Sequence, residues 1–237
     1  MLEVIGAIVL TALAVLLPST LLAAGPAPAA ARLRWGLVVA AWFVVVAAAA
    51  AFGVFDAAAG GVPALGVAIG APLVAAGVAF VRSAQFRALA YETPLPLLVS
   101  VHGGRLLGVF FLLLLAQGRL PPTFATAAGW GDIGVGAVAL LFGWLLYRGT
   151  LRSRAPLWLW NGVGLADLVI AVTLGVGSAP GSPLRFIFEP TDGGTITSLP
   201  WILIPAFLVP LYLLTHVAIF LRLALEPAAG RRSPALA

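Results

Sequence analysis

Seven hydrophobic stretches, each close to twenty residues long, follow one another along the chain, and short segments rich in Pro, Gly and Arg separate them. A helix rises 1.5 Å per residue, so about twenty apolar residues are needed to cross a hydrocarbon core of ~30 Å. The stretches lack the short alternating pattern of barrel strands. The pattern predicts membrane-spanning helices over residues 2–24, 35–55, 62–81, 94–118, 129–147, 156–177 and 200–223.

Composition supports the same fold class. The chain has 237 residues, of which 62% are hydrophobic and 9% are charged, whereas soluble domains are about a quarter charged. We therefore expect an all-α polytopic membrane protein with a single seven-helix membrane domain over residues 1–225. The polar, Pro- and Arg-containing residues 226–237 are predicted to form a disordered cytoplasmic tail. The expected surroundings are the lipid bilayer of the cell (inner or plasma) membrane, and the oligomeric state is left open.

Missing residue types exclude several kinds of chemistry. The chain has no Cys, which excludes disulfides, thiolate metal sites, iron–sulfur clusters and covalent haem attachment. All 13 basic side chains are Arg, so a seven-helix retinal protein is excluded, because its Schiff base needs a Lys amine. All arginines except Arg105 sit at helix ends or outside the predicted helices, which is typical of membrane proteins and predicts no nucleic-acid partner.

The distribution of arginine predicts the orientation of the chain. Ten of the 13 basic residues lie on one side of the predicted membrane: Arg32, Arg34, Arg82, Arg87, Arg148, Arg152, Arg154, Arg222, Arg231 and Arg232. The opposite side has only Arg119 and Arg185. Cytoplasmic loops carry the excess of positive charge. The N-terminus is therefore expected outside and the C-terminus in the cytoplasm.

Two charged residues are predicted at the middle of the membrane. Arg105 lies eleven residues after Pro94, and Asp167 lies eleven residues after Pro156. The two helices are predicted to run in the same direction. Each residue therefore lies ~16 Å from the cytoplasmic edge. Leaving either one unpaired would cost at least ~2.5–3.5 kcal/mol. The sequence predicts an intramembrane ion pair between them.

A second set of polar residues is predicted to line a pocket or proton relay near this pair. The two histidines, His102 and His216, fall at similar depth, and Tyr212 lies one turn from His216, within reach of a hydrogen bond. Asn161 shares a face with Asp167. Asp132 is expected in the first turn of the fifth helix, where a carboxylate complements the helix dipole.

These residues leave four functional hypotheses open. The first is movement of a small solute or protons through the polar centre, with Arg105 as gate or anion site and Asp167 as its partner or proton carrier. The second is electron transfer by a b-type haem, with His102 and His216 as axial ligands. The third is a structural or assembly subunit of a membrane complex. The fourth is an intramembrane enzyme acting on a lipid or isoprenoid, with Asp132, Asp167 and His216 as acid–base groups.

The first hypothesis is preferred, and it requires no cofactor or metal. No nucleotide-binding, hydrolase or metalloprotease motif is found in the sequence. Whether the protein is an enzyme therefore stays open, and so does the identity of any substrate.

Overall fold

The computed structural model describes residues 1–59, 61–151 and 153–225, and the predicted tail at 226–237 lies outside this range. The described residues contain helices and connecting segments but no strand. Seven of the helices are long and apolar enough to cross a membrane. The prediction of an all-α bundle with seven membrane helices is confirmed.

The described residues include eight helices of nine or more residues. The fourth of them is too short to span a membrane. They are α1 (Leu2–Ala24), α2 (Ala29–Ala51), α3 (Gly61–Arg82), α4 (Ala84–Glu92), α5 (Leu95–Ala116), α6 (Pro122–Tyr147), α7 (Ala155–Ser178) and α8 (Ile204–Leu225).

Two helices begin earlier than their hydrophobic patterns predicted. Helix α2 begins at Ala29 instead of residue 35, directly after Pro28, so its first turns include the arginines that were assigned to a loop. Helix α6 begins at Pro122 instead of residue 129, because a proline at the first position has no N–H to leave unpaired. The carboxylate of Glu189 then accepts the backbone N–H of Thr123 at 3.1 Å. Hydropathy alone missed both starts because these first turns are not strongly apolar.

Helices α5 and α8 are not regular throughout. In α5, Val101–Leu107 is 3₁₀-helical, a geometry that brings residues three apart onto the same side. His102 and Arg105 are related in this way. In α8, Ile204–Leu208 forms a π-helical turn, where Pro205 has no N–H to donate to a regular ladder. Both irregular segments lie in the helices that carry the polar centre.

The helices differ greatly in how much of their surface the bundle covers. In the most apolar stretch of α8, 61% of residues are buried, and in that of α2 only 6% are. Helices α5, α6 and α8 therefore form the centre, while α2 and α3 present most of their apolar side chains outward, where lipid would cover them.

The two ends of the bundle carry different contacts. At the arginine-rich end, Arg34 donates to Gln85 Oε1 at 3.0 Å, and Arg222 donates to the backbone oxygen of Thr93 at 3.0 Å. At the opposite end, Arg119 pairs with Glu3. These contacts tie helix ends that are distant in sequence.

Helices α5 and α6 approach each other closely through glycine. A Cβ atom on Gly108 would lie 2.5 Å from the backbone oxygen of Gly129 and 2.7 Å from Asp132 Cβ. Backbone of a packed helix cannot shift easily, so only glycine fits at position 108.

We expect Gly108→Ala to lower the free energy of unfolding by about 1–3 kcal/mol, because the added methyl group overpacks the α5–α6 contact. Gly134→Ala is the matched control, since a Cβ at Gly134 on α6 meets nothing within 4 Å. This control should leave stability unchanged or slightly raised, because Ala is the better helix former. Thermal unfolding of both variants in detergent measures the difference. Equal stability of Gly108→Ala and wild type would contradict the close approach.

Candidate functional site

Arg105 is the centre of a buried polar cluster, although it lies inside an apolar bundle. Its exposed fraction is 2%. Nε donates to Asp132 Oδ1 at 2.6 Å, and Nη2 donates to Asp167 Oδ2. Nη1 donates to the backbone oxygen of Gly164 at 2.9 Å and lies 3.2 Å from His216 Nε2. The planar guanidinium thus uses every nitrogen, as only arginine can do.

Four helices contribute to this arrangement. Arg105 comes from α5, Asp132 from α6, Asp167 from α7 and His216 from α8. We call these four residues, together with Asn161 of α7, the Arg105 cluster. Since α6, α7 and α8 each supply a side chain to the guanidinium of α5, these contacts also fix how the four helices pack.

Two glycines make room for the cluster. A Cβ atom on Gly131 of α6 would overlap with the carboxylate of Asp167, and one on Gly164 of α7 would lie 2.7 Å from His216 Cε1. The small residues at these positions therefore allow the charged and aromatic side chains of neighbouring helices to reach Arg105.

Asn161 holds the ring of His216. The amide Nδ2 donates to the backbone oxygen of His216 at 3.0 Å, which leaves Oδ1 facing the ring nitrogen Nδ1 at 2.7 Å. An amide oxygen only accepts, so Nδ1 must carry the hydrogen. Nε2 then presents its lone pair to Arg105. The contacts define His216 as a neutral imidazole protonated on Nδ1.

His102 stacks against His216 but has different polar partners. The two ring centroids lie 4.0 Å apart. Nε2 of His102 is 3.1 Å from the hydroxyl of Thr215, whose oxygen also lies within 3.1 Å of two backbone oxygens of α8. A threonine hydroxyl in a helix commonly donates to the backbone oxygen three or four residues earlier, and with its hydrogen placed there His102 Nε2 is the donor to the hydroxyl. Among the described residues, no group pairs with His102 Nδ1.

Tyr212 also lies beside His102, with ring centroids 5.3 Å apart. Its hydroxyl is buried and has no hydrogen-bond partner among the described residues. The hydrogen bond to His216 that the spacing of Tyr212 predicted is therefore not formed. The reason is that the hydroxyl is directed at Gly104 of α5, where a Cβ atom would collide with it.

The structure brings most of the sequence-predicted site residues together. Arg105 contacts Asp167, as its depth suggested, and it also contacts Asp132. The expectation that Asp132 serves the first turn of its helix was wrong. Because α6 begins at Pro122, Asp132 lies ten residues into the helix, deep in the bundle.

Sequence reasoning missed two residues that support the histidines. Thr215 holds His102, and Trp160 of α7 packs on both rings with centroids 5.5 and 5.9 Å away. The indole of Trp160 donates to the backbone oxygen of Val135 at 3.1 Å. Thr215 could have been identified from the sequence, because it is a hydroxyl residue directly before His216. Trp160 carries no such signal, since aromatic residues are common in apolar helices.

A protein family described as a domain of unknown function, DUF8737, matches residues 62–224. The chain belongs to this family. The matched region runs from α3 to the end of α8 and includes all of the Arg105 cluster, whereas α1 and α2 precede it. No curated protein and no solved structure matches the chain.

The positions of the two histidines do not suit a haem. Axial imidazoles stand on opposite faces of the porphyrin, which must fit between them. Rings with centroids 4.0 Å apart are in van der Waals contact. Their partners at Thr215, Asn161 and Arg105 further occupy three of the four ring nitrogens. In this arrangement the two rings leave no room for a porphyrin between them.

The contacts predict that the two histidines are opposite tautomers, with His216 protonated on Nδ1 and His102 on Nε2. The chain contains only 2 histidines, so ¹⁵N-histidine labelling gives two sets of ring signals by NMR. Single substitutions to Gln assign each set. Identical tautomers, or a doubly protonated ring at His216, would contradict the hydrogen-bond assignment.

Proposed function

We propose that the protein moves protons, alone or together with a small solute, through the Arg105 cluster. The observation that carries this proposal is a charge imbalance, since two carboxylates share one guanidinium inside the bundle. The imidazole of His216 adds no charge in the tautomer that its contacts define. With both acids ionised, the cluster would carry one net negative charge.

An uncompensated charge at this depth is costly. One added cation restores neutrality, and a proton on either carboxylate is the smallest change that does so. Each carboxylate gives one oxygen to Arg105, and among the described residues no hydrogen bond reaches the other oxygen. Those second oxygens are available to receive a proton.

Asp167 is the better candidate for the exchanging acid. Its side chain is 15% exposed, that of Asp132 is 11% exposed and that of Arg105 is 1% exposed. Asp132 accepts from Nε and is the more buried of the two acids. In this proposal Asp132 holds Arg105 in place, while Asp167 takes up and releases the proton.

His216 and His102 lie on the side of Arg105 nearer the arginine-rich end, and Tyr212 lies beside His102, one turn of α8 farther from that end than His216. No hydrogen bond joins these three side chains to one another among the described residues. The unpartnered Nδ1 of His102 and hydroxyl of Tyr212 are where water would complete a relay, because buried water bridges such groups. The proposal therefore assigns them a secondary role.

Proton flux in proteoliposomes tests the role of Asp167. A potassium diffusion potential should acidify vesicles that contain the wild-type protein, reported by a trapped pH-sensitive dye. We expect Asp167→Asn to reduce this flux at least tenfold. The amide oxygen can still accept from Arg105, and the excess charge is gone, so thermal stability should be unchanged or raised.

Asp192→Asn is the control, because it removes the same charge from an exposed loop position. It should conduct as wild type does. Wild-type flux in Asp167→Asn would remove Asp167 from the mechanism. Wild-type vesicles that acidify no faster than protein-free vesicles would overturn proton movement altogether.

We also propose that the arginine-rich end faces the cytoplasm of a cell membrane, which the asymmetry of basic residues supports. Because the chain has no Cys, a single Ser→Cys substitution introduces one thiol at a known position, and its labelling shows which side of the membrane that position faces. Ser198 and Ser153 are both exposed and lie at opposite ends of the bundle.

A membrane-impermeant thiol reagent should label Ser198→Cys in intact cells, and it should label Ser153→Cys only after the membrane is opened. The two serines are matched in side-chain size and exposure, so accessibility alone distinguishes them. The reverse pattern would invert the orientation, and labelling of both in intact cells would contradict the predicted topology.

A further inference from the structure

A groove runs between α2 and α3, away from the Arg105 cluster, and ends at the arginine-rich end of the bundle. Its volume is about 890 Å³. The apolar part is lined by Val38 of α2 and by Ala75, Val78 and Ala79 of α3. We call it the α2–α3 groove. Small side chains on α3 give this part the width and the apolar surface that an acyl chain requires.

The end of the groove is cationic. Arg34 and Arg82 stand on its two sides. Arg34 is held by Gln85 at 3.0 Å and lies over the ring of Trp35, with its guanidinium carbon 5.1 Å from the ring centroid. The ring of Phe86 on α4 packs edge-on against Trp35 at 5.0 Å. Helix α4 therefore closes the groove across the ends of α2 and α3.

Several donors at this end lack an acceptor. The indole Nε1 of Trp35 is buried and has no hydrogen-bond partner among the described residues. For the Arg82 side chain, too, no hydrogen bond or ion pair is found among the described residues. Ser83 accepts the N–H of Phe86 at 3.2 Å, and its own hydroxyl hydrogen remains available. Arg82 is exposed and Ser83 is half-buried, so both can reach an anion in the groove, whereas the buried Nε1 of Trp35 cannot.

We infer that the α2–α3 groove binds an anionic phospholipid. The phosphate would take the place between Arg34 and Arg82, where Ser83 also donates, and an acyl chain would lie along Val38 and Ala79. Basic pockets between membrane helices favour such lipids. A zwitterionic lipid offers no net charge to two arginines, and free phosphate would leave the apolar part uncovered.

Native mass spectrometry of the full-length protein tests this inference, with phosphatidylglycerol and phosphatidylcholine supplied in equal amounts. Wild type should retain phosphatidylglycerol selectively. Arg82→Gln should reduce the retained phosphatidylglycerol at least threefold, and the Arg34→Gln, Arg82→Gln double variant at least tenfold. Arg148→Gln is the matched control, because Arg148 is also an exposed arginine at this end but does not line the groove. It should retain phosphatidylglycerol as wild type does.

A second pair of variants separates lipid from free phosphate and leaves the charge unchanged. Ala79→Phe fills the apolar part of the groove and should reduce phosphatidylglycerol retention at least fivefold. Val74→Phe, on the exposed surface of α3 outside the groove, should have no effect. The inference is overturned if Ala79→Phe retains the lipid, if both lipids are retained equally, or if inorganic phosphate displaces phosphatidylglycerol.

Discussion

A guanidinium inside an apolar helix bundle persists only while its donors are paired, and Arg105 imposes that requirement on four helices at once. Asp132, Asp167, Gly164 and His216 reach it from α6, α7 and α8. Removing Arg105 itself would leave two buried acids without their base, and breaking a buried ion pair in this way costs about 3–5 kcal/mol. The packing of the central helices is therefore tied to the chemistry of the cluster, and the same contacts serve both.

Glycine makes this convergence possible. Gly108 allows α5 to approach α6, while Gly131 and Gly164 leave space for Asp167 and His216. The 3₁₀ segment of α5 turns His102 and Arg105 to the same side. A regular, bulkier α5 would separate the helices and leave the polar groups facing apolar side chains. The irregular backbone is thus a condition for burying the cluster.

The charges of the cluster do not balance when both acids are ionised, and this imbalance links the fold to the proposed movement of protons. A static structural ion pair needs one acid for one base, whereas Arg105 has two acids. The arginines of the outer helices α2 and α3 have surroundings different from those of Arg105. Arg34 and Arg82 line the end of the α2–α3 groove, where we infer that a lipid phosphate takes the place that the carboxylates take around Arg105.

The sequence by itself determined the class, the seven helices and the depth of Arg105 and Asp167, because helix length and charge position follow directly from the thickness of a bilayer. It also placed His102 and His216 at similar depth. The predicted start of α6 was wrong, because a hydropathy pattern does not detect a first turn that is not strongly apolar. Asp132 was therefore predicted to lie at the end of a helix. Only the tertiary structure decided that Asp132 joins Arg105, that Tyr212 is directed at Gly104, and that the histidines stack too closely for haem. Those outcomes depend on the rotation of each helix about its axis and on which small residues face each other, and spacing along one helix does not specify either.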